Sequence, residues 1–226
     1  RQMCIRDRLG MAYGDQSSIE FTEQVTKKMS VVGWKAALSL AKEKGPAPIM
    51  EEDFTITAKM LRTRPEIATD GYQVGDVVKG RVLHAKYSRY MQQLAGIEPE
   101  IVEALGREGS RFTHHSSIAP TGSISLSLAY YACYGFEPSF AHHYSRNIIR
   151  EGKKTKEKVD VFSYELLAYR ALINPSAGPG EADSLPKNFV TADDITPNQH
   201  DDVQAAAQKW VDSSISKTIN VPTDCN

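Results

Sequence analysis

The chain has 226 residues and a mass of 25.1 kDa, enough for one domain, or one large piece of a domain, with a substantial core. Its 41% hydrophobic and 24% charged residues are ordinary for a soluble globular protein, and a net charge of -1 provides no broad attraction for nucleic acid or a membrane surface. No apolar run approaches the roughly 20 residues of a transmembrane helix, and no secretory signal opens the chain. Cys4, Cys133 and Cys225 are far apart in no C-x-x-C pattern, which argues against a disulfide framework or a zinc site and for a reducing cytoplasm.

Residues 1–8, RQMCIRDR, carry neither helical nor strand period and read as a non-native leader to a working segment of 9–226. The chain stops at Asn226, just after a predicted strand, so both ends look cut and a fragment is expected. Ser17-Ser18-Ile19-Glu20 has the form of a capping box. Phe21, Val25, Met29, Val32, Ala36 and Leu40 follow at helical spacing up to Gly45-Pro46, with Trp34 as core and Gly33 as a point of bending. Glu51 to Arg64 and Lys79 to Ala95 read as two further amphipathic helices, with turns between them at Thr69-Asp70-Gly71 and Val74-Gly75-Asp76. Tyr87 and Tyr90 read as half-buried helical tyrosines with no chemistry of their own. A short helix from Glu98 to Leu105 ends at Gly106.

The next stretch departs from generic globular sequence. Ala119-Pro120-Thr121-Gly122-Ser123-Ile124-Ser125 gathers hydroxyls and a glycine around one rigid proline. Such a backbone turns sharply and approaches a ligand closely. Three hydroxyls and several peptide N–H groups aimed at one point suit an anion, above all phosphate oxygens. The alternative is a serine-rich turn with solvated hydroxyls. His114-His115, His142-His143 and Cys133 raise the question of a metal, but neighbouring residues in extended chain diverge and the spacing fits no zinc pattern, so no metal is expected. Cys133 reads as a small buried thiol.

Arg150 to Lys158 is a charge run with the look of a solvated hairpin. A helix marked by Phe162, Leu166, Tyr169 and Leu172 follows, then a loop from Asn174 to Leu185. Thr196-Pro197-Asn198-Gln199 forms a capping box with proline at the first helical position. Val203, Ala206, Ala207, Trp210 and Val211 then make a helical stripe. From Ile215 the period changes to two, with Ile219 and Val221 on one side and Ser216, Thr218 and Asn220 on the other, and Lys217 interrupting the apolar side. A helix followed by a strand is expected over 196–221, with Val203, Ala207, Trp210 and Ile219 buried. The hydroxyl face is either solvated or, in a barrel, turned inward toward a polar ligand.

Taken together, HHSSIAPTGSISLSLA, GFEPSFAHHYSRN and VTADDITPNQHDDVQAAAQKWVDSSISKTINVPT resemble the catalytic subunit of the adenosylcobalamin-dependent (class II) ribonucleotide reductases. The likeness runs from about Leu9 to Asp224. It departs from the family at Phe136, where an isoleucine is usual, and at Cys133-Tyr134, where small polar residues are more frequent. The resemblance implies an α/β fold, part of a ten-stranded α/β barrel incomplete at both ends, with 9–226 as the partial barrel domain. It implies that Pro120, Thr121, Gly122, Ser123, Ile124 and Ser125 hold the phosphates of a ribonucleotide, and it leans toward diphosphates. The family reduces the ribose through a thiyl radical generated with adenosylcobalamin and is re-reduced by a thioredoxin-type partner; a homodimeric parent is left open. The family's Asn-x-Cys-x-Glu radical loop does not occur here, so no catalytic residue is expected in this chain and no turnover by it alone. Two other classes stand beside this reading: a non-redox nucleotide-phosphate-binding module, and an inactive structural fragment.

Overall fold

A computed structural model of the chain describes residues 9–127, 137–149, 152, 155–178, 185–219 and 221, with the backbone alone for 125–127. Residues 1–8, Cys133 with its neighbours through Phe136, parts of the 150–158 charge run and of the 174–185 loop, and the last five residues lie outside the described residues. The chain divides into two compact units, one of residues 1–23, 118–208 and 214–226, the other of 24–117 and 209–213.

The second unit is mainly helical. Helix α1 (Gln16–Lys44) supplies it with residues 24–44, carrying Trp34 at 0% exposure into the core. Around that indole pack Val31, Ala37, Met91, Leu94, Ile101 and Leu105, brought by α1 and by helices at Arg89–Ala95 and Pro99–Glu108. The tryptophan is core as expected, but the predicted stripe of Phe21, Val25, Met29, Val32, Ala36 and Leu40 is not the buried face: Met29 and Val32 are exposed, while Val31, Trp34, Ala37 and Ala41 are buried. Gly33 lies inside this helix, where a Cβ would collide with the His115 ring, so the glycine permits close packing. The capping-box reading at Ser17 is corrected as well. The helix already includes Gln16 and Ser17, and the Asp15 carbonyl accepts the Ile19 N–H at 3.0 Å, which puts Ser17 inside the first turn.

Two predicted helices of this unit prove to be mixed segments. Over 51–64 the chain forms α2 (Pro48–Glu51), strand β1 (Asp53–Thr55) and α3 (Ala58–Thr63), followed by α4 (Glu66–Thr69) and β2 (Val77–Lys79). Strands β1 and β2 pair antiparallel, Asp53 opposite Lys79 and Thr55 opposite Val77, and Lys79 reaches Asp53 at 2.8 Å. Thr57 ends the extended run and caps α3, its hydroxyl accepting the Met60 N–H at 3.2 Å. The strands enclose a second apolar cluster of Ile56, Ile67, Val78 and Tyr87.

The predicted Lys79–Ala95 helix is α5 (Gly80–Tyr87) and α6 (Arg89–Ala95), separated at Ser88, whose ψ of 128° is extended. Helix α7 (Pro99–Glu108) overruns Gly106 and stops at Gly109, the residue that takes the left-handed φ of 75° and returns its N–H to the Leu105 carbonyl.

The first unit holds α8 (Gly122–Ser127), the antiparallel pair β3 (His143–Ile148) and β4 (Glu157–Phe162), α9 (Tyr164–Leu172), a short 3-10 turn at Ala192–Asp194 and α10 (Pro197–Gln208). Of the described part of the charge run, Glu157 and Lys158 lie in β4, opposite Ile148 and Asn147. Ser163 caps α9 by accepting the Leu166 N–H. The predicted cap of α10 is present: the Gln199 side chain accepts the Thr196 N–H at 3.0 Å, and Gln199 N–H returns to the Thr196 hydroxyl at 3.4 Å. Val203, Ala206 and Ala207 bury one face of α10. Trp210, within the other unit, is 6% exposed beneath Lys27.

The strand predicted after α10 is reduced to one parallel bridge, Ile118 to Ile215, with the Ile118 N–H on the Ser214 carbonyl and the Ser216 N–H on the Ile118 carbonyl. Ile219 is 37% exposed, contrary to expectation. A strand needs a partner along its length, and among the described residues none flanks 216–219, where Lys217 anchors the chain through its side chain instead. The described residues form two two-stranded sheets and no closed sheet; the fold is mixed helix and strand. No described helix is long and apolar enough to cross a membrane.

Candidate functional site

In the first unit, the predicted phosphate loop opens onto a cavity of about 320 Å³. Pro120 and Gly122 line it, together with Glu137, His200, Ser216 and Thr218. The Ile118 bridge fixes the approach to the loop. Thr121 then turns the chain with φ 52°, a left-handed conformation uncommon for any L residue and costly for a β-branched one. Gly122, in contrast, is the first residue of α8 and needs no positive φ. The conformational demand expected of the glycine falls on the threonine. Ser123 is exposed, Ile124 is 58% exposed, and the Ser125 side chain lies outside the described residues.

The opposite wall is organised by a residue that sequence reading treats only as an interruption. The Lys217 side chain is 3% exposed, and its ammonium lies 2.7 Å from Glu137 Oε2 and 2.7 Å from His200 Nδ1 and donates to the Thr218 carbonyl at 2.6 Å. Glu137 uses its second oxygen to accept the Thr218 N–H at 2.6 Å. Facing an ammonium, His200 Nδ1 must be the acceptor, which puts the ring proton on Nε2. Burial, then the Lys217 charge, holds this imidazole below its usual pKa. Its ring is buried against Tyr13 at 5.7 Å, and Nε2 completes no hydrogen bond. Glu137, His200 and Lys217 stand at this cavity although none was a candidate phosphate-binding residue in the sequence; a lysine in an otherwise apolar register was one cue.

The second unit has a larger cavity of about 430 Å³, walled by apolar side chains such as Met50, Phe54 and Leu83 and bordered by His84 and His114. Burial and then the neighbouring His114 push His84 down to about 4. Tyr87, at its edge, donates to Asp70 at 2.6 Å, which lowers the Asp70 pKa, while burial raises that of the phenol. Tyr90 bonds to Ser30 and donates to the Trp210 carbonyl at 3.1 Å, a packing role. Asp212 clasps the chain before the loop, accepting the N–H groups of His115 and Ser116 at 2.8 and 2.9 Å.

The paired histidines have separate surroundings. His115 packs edge-on against Trp34 at 5.3 Å, while His114 faces His84 at 6.3 Å. His142 meets Ser163 at 3.1 Å, and His143 stacks on Phe162 at 4.5 Å with Asp160 at 3.2 Å. Among the described residues no group of three or more His, Cys, Asp or Glu side chains is placed to hold a metal ion.

The family model for the ribonucleotide reductase barrel domain matches residues 5–226, and the chain belongs to that family. Among its relatives is a vitamin B12-dependent ribonucleoside-diphosphate reductase of Mycobacterium tuberculosis (strain CDC 1551 / Oshkosh), 33% identical over 146 residues, which are 60% of this chain and 21% of that protein. A protein of the same description from Thermoplasma acidophilum is 32% identical over 119 residues, 48% of this chain and 15% of that protein. The chain thus matches about a fifth or less of the length of these relatives.

Proposed function

We propose that this chain is the substrate phosphate-holding part of a ribonucleoside-diphosphate reductase. The observation that carries the proposal is the loop from Pro120 to Ser125. It matches the family's phosphate loop in sequence, it has a strained left-handed residue at Thr121, and it borders a cavity through Pro120 and Gly122. Strained backbone persists only where its surroundings over-determine it, and such positions gather at ligand sites. Peptide N–H groups at the start of α8 have no carbonyl partner within the helix, and in this reading they meet phosphate oxygens beside the Thr121 and Ser123 hydroxyls. In this reading the chain grips the unreactive end of the substrate, and a longer reductase brings the ribose to a cysteine outside this segment. The ten-stranded barrel is then completed by the rest of that protein.

The kinship with vitamin B12-dependent reductases makes adenosylcobalamin the cofactor of the proposed parent, where it would supply the radical. The described residues do not fit it. Their two cavities, of about 430 and 320 Å³, are of the size that suits small ligands, and a corrinoid with its nucleotide tail is larger than either. Neither of these cavities holds the whole cofactor, and a thioredoxin-type partner re-reduces the proposed parent. A cytoplasmic, homodimeric parent accords with this role.

The test is substrate affinity in the complete reductase beside a thermal melt. Gly122→Val places a branched side chain on the cavity wall and should weaken ribonucleoside diphosphate binding by roughly 1.5–3 kcal/mol or more, the worth of at least one hydrogen bond to a charged group. Ser123→Ala should be mild if backbone N–H groups do most of the holding. A folded Gly122→Val protein with unchanged diphosphate affinity would return the loop to an ordinary turn.

A further inference from the structure

Across the cavity from the loop, Ser216 and Thr218 lie two residues apart, and both reach the cavity lining. The residue between them, Lys217, is sequestered by Glu137, His200 and the Thr218 carbonyl, and Glu137 also ties down the Thr218 N–H. The Ile118 carbonyl holds the Ser216 N–H at 2.9 Å, so both ends of the tripeptide are fixed. The lysine's partners Glu137 and His200 line the same cavity, so the contacts that hold the ammonium also fix the segment that presents the two hydroxyls. A buried lysine with three acceptors is a costly way to satisfy a surface segment; here it fixes the segment beside the cavity. His200, 1% exposed, lines the same cavity and holds the lysine through Nδ1.

We propose that Ser216 and Thr218 form a second ligand-contacting wall opposite the Pro120–Ser123 loop and donate their hydroxyls to the phosphate-bearing end of the nucleotide. This rests on the phosphate-loop reading and extends it: the loop contributes largely backbone donors, the facing segment contributes side-chain hydroxyls. Two walls of donors enclose a tetrahedral, multiply charged group better than one. The role differs from packing, because both residues are exposed and neither supports the core.

The experiment compares Ser216→Ala, Thr218→Val and their double variant with Gly122→Val in the complete reductase. Binding of cytidine diphosphate, cytidine and inorganic pyrophosphate is measured by calorimetry, with a thermal melt of each protein. The double variant should bind cytidine diphosphate and pyrophosphate roughly tenfold or more weakly, bind cytidine as before, and melt with the parent. If it binds all three as the parent does while Gly122→Val loses the diphosphate, the second wall is refuted and the loop reading stands. If folded Gly122→Val also keeps its diphosphate affinity, both readings fall. Equal loss of cytidine and diphosphate in a folded double variant would likewise overturn the proposal, since the hydroxyls would then serve the nucleoside and not its phosphates. Should the double variant fail to fold, the two single variants carry the same comparison.

Discussion

The two units stabilise their interiors by different means. In the unit of residues 24–117 and 209–213, Trp34 is surrounded by aliphatic side chains and by the rings of His84, Tyr90, Phe112 and His115. In the other unit, the side chain with the most partners at the cavity is a charged one, Lys217, with Glu137 and His200 around it. An apolar interior tolerates neighbours of many shapes as long as volume is kept. A buried ion pair specifies geometry, at the expense of desolvating both charges. The polar arrangement occurs beside the cavity that the phosphate-binding proposal concerns, and the apolar one where the chain has only to pack.

The largest effect that would test this contrast is expected at Trp34. Replacing it with Ala removes the centre of the apolar cluster and should cost roughly 3–5 kcal/mol, read as a lower denaturation midpoint. A loss under about 1 kcal/mol would mean that this cluster is not the core of its unit.

Next comes Lys217→Met. Removing one member of a buried pair costs roughly 3–5 kcal/mol when the other stays buried and charged. Glu137 retains 21% side-chain exposure, so water can reach it and the cost should fall at or below the low end of that range. Lys217→Met with Glu137→Gln should recover much of the loss, because no uncompensated carboxylate is left. A double variant no better than the single one would show that the two groups are not coupled, and the contrast between the units would lose its main support.

What sequence made legible follows the same division. Helix α10 announced itself through Thr196, Pro197 and Gln199, because a capping box is a local signal whose partners are three residues apart. Trp34 was legible as core from its size and apolar character, not from the helical stripe, of which Met29 and Val32 are exposed; the Pro120–Ser125 loop was legible from composition and family likeness. Strand β1 was hidden, because three residues are too few to show a period of two and Phe54, Met60 and Leu61 mimic a helical one. The Lys217–Glu137 pair joins positions 80 residues apart and leaves no local trace. The same holds for the missing strand: Ile215 to Val221 alternates as a strand should, but alternation says nothing about whether a partner strand is present.

The smallest expected effect is at Thr121, where it distinguishes strain from packing. A left-handed conformation costs an L residue roughly 1–2 kcal/mol, and Thr121 occupies it at φ 52°. Glycine removes that cost and adds roughly 0.5–1 kcal/mol of backbone entropy to the unfolded chain. Thr121→Gly should therefore be neutral or stabilising by up to about 1 kcal/mol, the reverse of its effect at an ordinary loop position. The threonine side chain also interacts with its surroundings, so its loss sets a limit on the gain. The measurement is the denaturation midpoint at constant m value, with diphosphate affinity recorded on the same protein. If stability holds or rises while diphosphate affinity falls, the strain is retained for the ligand, as the phosphate-loop reading requires. A destabilisation beyond about 1 kcal/mol would assign Thr121 to packing, and the loop's unusual backbone would no longer support a binding role.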